Sequence, residues 1–176
     1  MKTEICIINK QGNGFQDALE MTRQTAEEAG LSKREVLSLQ LITEEMLGLV
    51  RTVTGEYDMS FWIEREDKLY QFYLSTKTVM NLEKKIQLVS STSSLKNDAA
   101  KGLIGKLREK YQNAMLMSSD APASDPAYMN HDVYCYNQES AEWDKYERSI
   151  LRKVADEIRI GIRGGNVEMI VSKRFD

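Results

Sequence analysis

Among the residues of this chain, the adjacent glutamates Glu44 and Glu45 best fit a chemical role, because of their residue type and their position in the sequence. They lie within residues 37–53, where apolar residues recur every three or four positions, the spacing of a helix that buries most of its girth. A solvated helix usually spreads its charges over an outer face, so this carboxylate pair indicates that at least one side chain lines a cleft. The alternative remains open that the pair is two ordinary charges at the edge of the buried stripe, because most ionisable pairs do no chemistry.

Other reactive residues form no convincing constellation. His131 and Cys135 are four residues apart and could be written as a base and a nucleophile, but no third residue is evident to orient them. One histidine and two distant cysteines, Cys6 and Cys135, also leave no zinc site. Lys101, Lys106 and their basic neighbours are interrupted by acidic residues, which is typical of a solvated helix face.

The length, charge and apolar content of the chain restrict the class of protein. The chain has 176 residues, one domain's worth, with 24 basic and 27 acidic side chains and a net charge of −3. This balance argues against nucleic acid or an anionic membrane as the main partner. The apolar runs are far shorter than the ~20 residues that a membrane-spanning helix needs. With no paired cysteines and no hydrophobic leader before the first strand, we expect a cytoplasmic protein with reduced thiols.

The elements around the central helix follow from hydrophobic periodicity. Alternating or β-branched runs predict strands at residues 3–8, 57–64, 69–76, 157–163 and 167–173. Helical spacing predicts helices at residues 15–30, 82–89, 99–115 and 140–154, and a capping box from Ser32 to Glu35 opens the central helix, which runs to about Thr54 or Gly55. Both prolines fall in an irregular loop at residues 118–132. The expected fold is α+β, a two-layer α/β sandwich with a mixed sheet of about five strands and helices on one face.

This order of elements, together with the sequence TEEMLGLV at residues 43–50, resembles the GHKL ATPase superfamily and, within it, the bacterial anti-sigma-factor serine kinases. The resemblance implies a Bergerat-like ATP-binding fold over residues 1–176, with a lid-like insertion at about residues 80–140. In that family a glutamate on the central helix positions or activates the attacking group, and an asparagine four residues later holds Mg²⁺. Glu44 matches the glutamate and is the implied catalytic residue, whereas the asparagine position falls on Gly48.

The resemblance also implies nucleotide-binding residues. Glu45 and Gly48 belong to the implied cofactor site on the central helix, and a glycine-rich helix start that binds anions is echoed by Lys101, Gly102, Gly105 and Lys106. Close helix packing explains those two glycines about as well. The adenine-reading loop of the family, which needs an aspartate and glycines, falls on residues 75–81, and they contain neither.

The resemblance therefore implies ATP and Mg²⁺ as cofactors, and the motifs that would bind them are degenerate in this sequence. The resulting expectation is a regulatory module that binds a protein partner, with weak or no ATP binding. The alternatives are an active ATPase or serine kinase that uses Glu44 with Mg²⁺, and a sensor of another small ligand in the former ATP cleft. The first strand of the related kinases helps to build their dimer, so a homodimer through residues 3–8 is also expected.

Overall fold

The computed structural model describes residues 1–9, 13–55, 58–98 and 150–176, which form one sheet packed against helices. The elements in chain order are β1 (Cys6–Ile8), α1 (Phe15–Glu28), α2 (Lys33–Thr54), β2 (Met59–Glu66), β3 (Leu69–Lys77), α3 (Leu82–Ser90), β4 (Glu157–Arg163) and β5 (Asn166–Arg174). Residues 150–154 are also helical. The predictions for residues 99–115, 118–132 and 140–149 lie outside the described residues, as do His131, Cys135 and most of the predicted insertion.

The five strands lie in the order β1-β2-β3-β5-β4, and every neighbouring pair is antiparallel. The α+β class and the strand number are confirmed, but the prediction of a mixed sheet is wrong. Two helices separate β1 from β2, and each successive element reverses the direction of the chain. An even number of helices therefore returns β2 antiparallel to β1, whereas a single crossover helix would have returned it parallel.

The helices cover one face of this sheet. Alternate residues of β2, β3, β4 and β5 are buried, as the sheet face on a core requires. Their side chains join the apolar face of α2 in one cluster, whose largest fully buried members include Phe61, Tyr70, Phe72, Leu39, Ile42 and Met46. This arrangement leaves the opposite side of α2 free of the sheet.

Both ends of α2 are fixed by local sequence, as predicted. The Ser32 hydroxyl accepts from the Glu35 backbone N–H, and the Glu35 carboxylate accepts from the Ser32 N–H, which completes the capping box. These bonds satisfy N–H groups that the first helical turn leaves without partners. At the other end Gly55 takes the left-handed conformation, with φ of 68°, that terminates many helices.

The two edges of the sheet are both obstructed, in different ways. At β1, Lys2 pairs with Glu64 but Cys6 pairs with Phe61, so the β1 side has one residue more than β2 between these pairs, a β-bulge. The regular strand is therefore shorter than the predicted residues 3–8. A bulge twists an edge and makes it a poor template for another strand.

At the β4 edge, side chains of residues 91–98 take the place of a further strand. The Asn97 amide donates to Ile162 O at 3.1 Å and accepts from Ile162 N–H at 2.8 Å. Four residues earlier, Ser93 N–H donates to Ile158 O at 2.9 Å, and the Ser93 hydroxyl accepts from Ile158 N–H at 2.8 Å. These bonds satisfy outward-facing backbone groups of β4 and close that edge.

No helix among residues 1–98 and 150–176, where described, is long and apolar enough to cross a bilayer.

Candidate functional site

The predicted catalytic residue Glu44 lies on the outer side of α2. That side also carries Leu37 and Arg51, which are exposed like Glu44 and follow at intervals of two helical turns. Glu45, beside it in sequence, is half-buried. Because residues four apart on a helix share a face, Glu44 and Gly48 sit one above the other on this exposed side. The structure thus brings together the two α2 positions that the sequence analysis matched to the family motif, and places both away from the sheet.

Gly48 is half-buried in a helix interior, where glycine is about 1 kcal/mol less favourable than alanine. A Cβ atom built on Gly48 would meet no heavy atom of the described residues within 4 Å, beyond its own helix backbone and chain neighbours. Close approach of another described element therefore does not explain this glycine. The space beside it would accept a side chain, and glycine supplies none that could bind a cation.

The segment after β3 corresponds to the loop that binds adenine in the resembled family. In this chain it is hydrogen-bonded to the C-terminal end of α2. The Thr78 hydroxyl donates to the carbonyl of Thr54, the last residue of α2, at 3.2 Å. Lys84, in the first turn of α3, donates from Nζ to the same carbonyl at 2.8 Å and also lies 3.3 Å from Val79 O and 3.4 Å from Thr78 Oγ1. An ammonium group at a helix C-terminus is stabilised by the helix dipole and satisfies carbonyls that lack partners there.

Lys84 is the residue of this region that sequence reasoning missed. The Asn81 side chain accepts from the Lys84 N–H at 2.8 Å and starts α3. An asparagine followed by an apolar helical run was a signal for the start of a helix. Nothing in the local sequence showed that the lysine side chain would reach back across 30 residues to α2.

Within the described residues, the α2 positions do not fit a Mg²⁺–ATP site of the implied kind. Gly48 offers no ligand at the position that holds the metal in the family, and Glu44 alone would leave most of an octahedral shell to other donors. Within the parts of the chain that the structure describes, no group of three or more His, Cys, Asp or Glu side chains could hold a metal ion. The implied anion-binding residues Lys101, Gly102, Gly105 and Lys106 lie outside the described residues.

Cys6 is a buried free thiol rather than a nucleophile. Its Sγ donates to the Gly14 carbonyl at 3.3 Å, and burial, with a smaller effect of the Asp17 charge, raises the pKa of the thiol. A raised pKa keeps the sulfur protonated, whereas reactive cysteines need the thiolate.

The sheet face away from the helices is a second candidate surface, which we call the outer sheet face and define by Ile5, Ile7, Trp62, Tyr73 and Ile170. Ile5 is 56% exposed and Ile7 61% exposed, although both are large and apolar. The Trp62 and Tyr73 rings stack across β2 and β3 with centroids 5.0 Å apart and planes 5° from parallel. Sequence reasoning interpreted the run with Ile5 and Ile7 as a buried strand, and the exposure of these two side chains corrects that interpretation. It assigned only the buried faces of β2, β3 and β5 and overlooked Trp62, Tyr73 and Ile170.

No family model and no curated protein matches this chain. The resemblance to the GHKL ATPases therefore stays a prediction from the sequence, and so do the roles of Glu44 and Glu45.

Proposed function

We propose that this chain is a regulatory protein-interaction module on a Bergerat-like scaffold in which nucleotide binding is weak or lost. The likeness to anti-sigma-factor serine kinases supplies the class, and another protein is the partner. A free buried thiol at Cys6 fits the reducing cytoplasm that this class implies.

The observation that carries the proposal is the open surface at Gly48. Its surroundings would admit a side chain, yet the position that holds Mg²⁺ in the resembled family has no side chain to offer. Residues 75–81, which correspond to the adenine-binding loop of that family, likewise contain no aspartate. Lost polar contacts of this kind cost about 1–3 kcal/mol each, or roughly ten- to hundredfold in affinity apiece.

The attachment of Lys84 to α2 supports the same proposal. Its ammonium group and the Thr78 hydroxyl both bind the Thr54 carbonyl, so the segment after β3 is held by contacts within the protein. A loop that reads a base needs its polar groups available to the ligand. In this chain the polar groups of that segment serve the packing of α3 on α2.

The proposal is tested by thermal unfolding with ATP or ADP, with and without Mg²⁺. A ligand present at 100 times its Kd adds ~2.7 kcal/mol to the free energy of unfolding, which for a chain of this size raises the Tm by roughly 5–10 °C. We expect no such shift with nucleotide at ~1 mM. A Mg²⁺-dependent shift of that size would overturn the loss of nucleotide binding.

The Glu44→Gln variant separates the remaining outcomes. If the chain is a working kinase, it transfers the terminal phosphate of ATP to a serine hydroxyl, and Glu44→Gln abolishes that transfer without removing the thermal shift. If the chain senses another ligand, nucleotides leave the Tm unchanged, and a metabolite screen produces a shift that Gly48→Trp prevents by filling the open space. Either result would replace the proposed function.

A further inference from the structure

The turn that leads into α1 contains the only Asn-Gly dipeptide of the sequence, Asn13-Gly14. Asn13 is exposed, and Gly14 is the residue at the N-cap of α1. The side-chain amide carbon of an asparagine can be reached by the backbone nitrogen of the next residue, and attack there closes a five-membered ring. Glycine favours this attack more than any other residue, because it has no Cβ atom to obstruct the approach.

The attacking nitrogen is not held by a hydrogen bond. Almost all backbone N–H groups of a folded chain have a partner, and the first N–H groups of a helix are the usual exceptions. Within the parts of the chain that the structure describes, the Gly14 N–H donates to no acceptor, and the N-cap of α1 has no side-chain hydrogen bond. No hydrogen bond therefore has to break before this nitrogen can react.

The amide that it would attack is equally unrestrained. The Asn13 N–H donates to Asn9 Oδ1 at 3.2 Å, and the Asn13 carbonyl accepts from the Asn9 N–H at 3.1 Å. Both bonds use the backbone of Asn13, and among the described residues its side chain has no partner. The side chains of Asn81 and Asn97, by contrast, are both hydrogen-bonded. The structure thus leaves the Asn13 amide able to turn towards Gly14.

We propose that Asn13 is a modification site at which the chain reacts with itself and then with water. The Gly14 nitrogen loses its proton and bonds to Asn13 Cγ, the Cγ–Nδ2 bond breaks, and ammonia leaves, which gives a cyclic imide. Water then adds to one of the two ring carbonyl carbons. Opening at Cγ yields aspartate with the original main chain, and opening at the backbone carbonyl carbon yields isoaspartate. Water in and ammonia out balance the reaction, so it needs no oxidant, reductant or enzyme.

The aspartate product is compatible with the fold. It changes the net charge from −3 to −3 − 1 = −4 and sets a carboxylate just before the first turn of α1. The helix dipole stabilises a negative charge there, whereas Asp17, four residues further on, opposes it. The two effects are similar in size and opposite in sign. The inference does not depend on nucleotide binding, because it uses neither Glu44 nor Gly48.

The isoaspartate product is not compatible with this junction. It lengthens the main chain by one atom between Asn13 and Gly14, and Gly14 is held tightly against β1. A Cβ atom built on Gly14 would lie 2.2 Å from Ile7 O, and Cys6 Sγ donates to the Gly14 carbonyl at 3.3 Å. An extra atom must therefore displace either Gly14 from β1 or Asn13 from its two bonds with Asn9.

The test is ageing of the full chain, followed by peptide mapping with mass spectrometry. Purified protein is kept for weeks at physiological temperature, at a mildly acidic and a mildly alkaline pH. We expect Asn13 to gain the mass difference between an amide and a carboxylic acid, at a rate that rises by up to roughly tenfold per pH unit because the nitrogen must first lose its proton. Asn166 is the internal control, because it is also exposed but precedes the β-branched Val167, and it should remain an amide.

Two variants and a denatured sample complete this test. Asn13→Gln should form no product, because its longer side chain would need a six-membered ring, and the aged chain should elute from an ion exchanger with Asn13→Asp. Conversion in the folded chain should lie within roughly tenfold of that in urea, since surface turns open with almost no free-energy cost. If Asn13 stays an amide in the folded chain but converts in urea, the fold protects it and the proposal is overturned.

Thermal unfolding of the separated products tests the structural consequence. The aspartate form should unfold at the Tm of Asn13→Asp, and the isoaspartate form at a lower Tm, because only the second lengthens the chain beside Gly14. Equal Tm values for the two forms would overturn the inference that the junction of Gly14 with β1 distinguishes them.

Discussion

The substitution Gly48→Ala measures directly what the glycine in α2 does. A methyl group at this position meets no heavy atom of another described element within 4 Å, so it introduces no overlap with them. Alanine is favoured over glycine in a helix interior by about 0.5–1 kcal/mol, chiefly because glycine has more backbone freedom to lose on folding. We therefore expect Gly48→Ala to raise the free energy of unfolding by that amount, and the Tm by roughly 1–4 °C for a chain of this length.

The assay is urea unfolding followed by circular dichroism at 222 nm, with thermal melts as a second measure. The transition midpoint should rise with an unchanged slope, since the surface exposed on unfolding is the same. Gly48→Asn should have a smaller effect on stability, because asparagine is a poorer helix former than alanine. Its melts with and without Mg²⁺ and ATP show whether an amide at this position restores any nucleotide binding.

Gly55→Ala is the matched control for the backbone. Gly55 also has nothing within 4 Å of a built Cβ, but its φ of 68° is one that side chains disfavour. The same substitution should therefore destabilise the protein by roughly 1 kcal/mol or more at Gly55 while it stabilises at Gly48. A loss of more than ~0.5 kcal/mol for Gly48→Ala would refute the reasoning, because it would require a close neighbour at α2.

Three further results are expected. Lys84→Met removes the ammonium group that binds the Thr54 carbonyl, which should cost about 1–2 kcal/mol in urea unfolding. Asn97→Ala leaves the backbone N–H and C=O of Ile162 without their partners, which should cost about 2–3 kcal/mol and speed hydrogen exchange at that amide. Hydrogen bonds from the Arg23 side chain, and secondly from Gln24, lower the pKa of Glu20 from 4.5 to about 2, so the stabilising effect of this carboxylate is complete above pH 4.5 and is lost as the pH falls through about 2.

Each of these results has a contrary outcome. Lys96→Met, at an exposed lysine of the segment beside β4, should leave stability unchanged, and an equal loss there would deny a special role to Lys84. Unchanged exchange at the β4 amide in Asn97→Ala would mean that the bond to Asn97 does not protect that amide. For Glu20, carboxyl chemical shifts that titrate near pH 4.5 would contradict the lowered pKa.

Much of the fold could be predicted because its signals are local. The bounds of α2 follow from Ser32 and Glu35 at one end and Gly55 at the other, all of which act within a few residues of the helix. The hairpin of β4 and β5 follows from alternating apolar residues on either side of two glycines. The bulge that shortens β1 depends on pairing with β2 and has no signature of its own in the sequence.

The candidate site shows where such reasoning stops. The sequence placed Glu44 and Gly48 on one side of a helix, because that follows from 3.6 residues per turn. A glycine within a helix can admit a close neighbour or stand where a side chain is missing, and only the space around Gly48 among the described residues argued against close packing. The sequence analysis also assigned no contact to Lys84, because the carbonyl that it binds on α2 lies 30 residues away in the chain.

The sequence by itself therefore determined the helices and strands within residues 1–98 and 150–176, their apolar faces and the single-residue caps. The tertiary structure alone decided the strand order, the fully antiparallel pairing, the closure of β4 by Asn97 from 65 residues away, and the outer sheet face on which Trp62 and Tyr73 meet. The physical reason is the range of the interactions. Caps and periodicity act over one or two turns of chain, whereas pairing and packing join residues that only the folded backbone brings together.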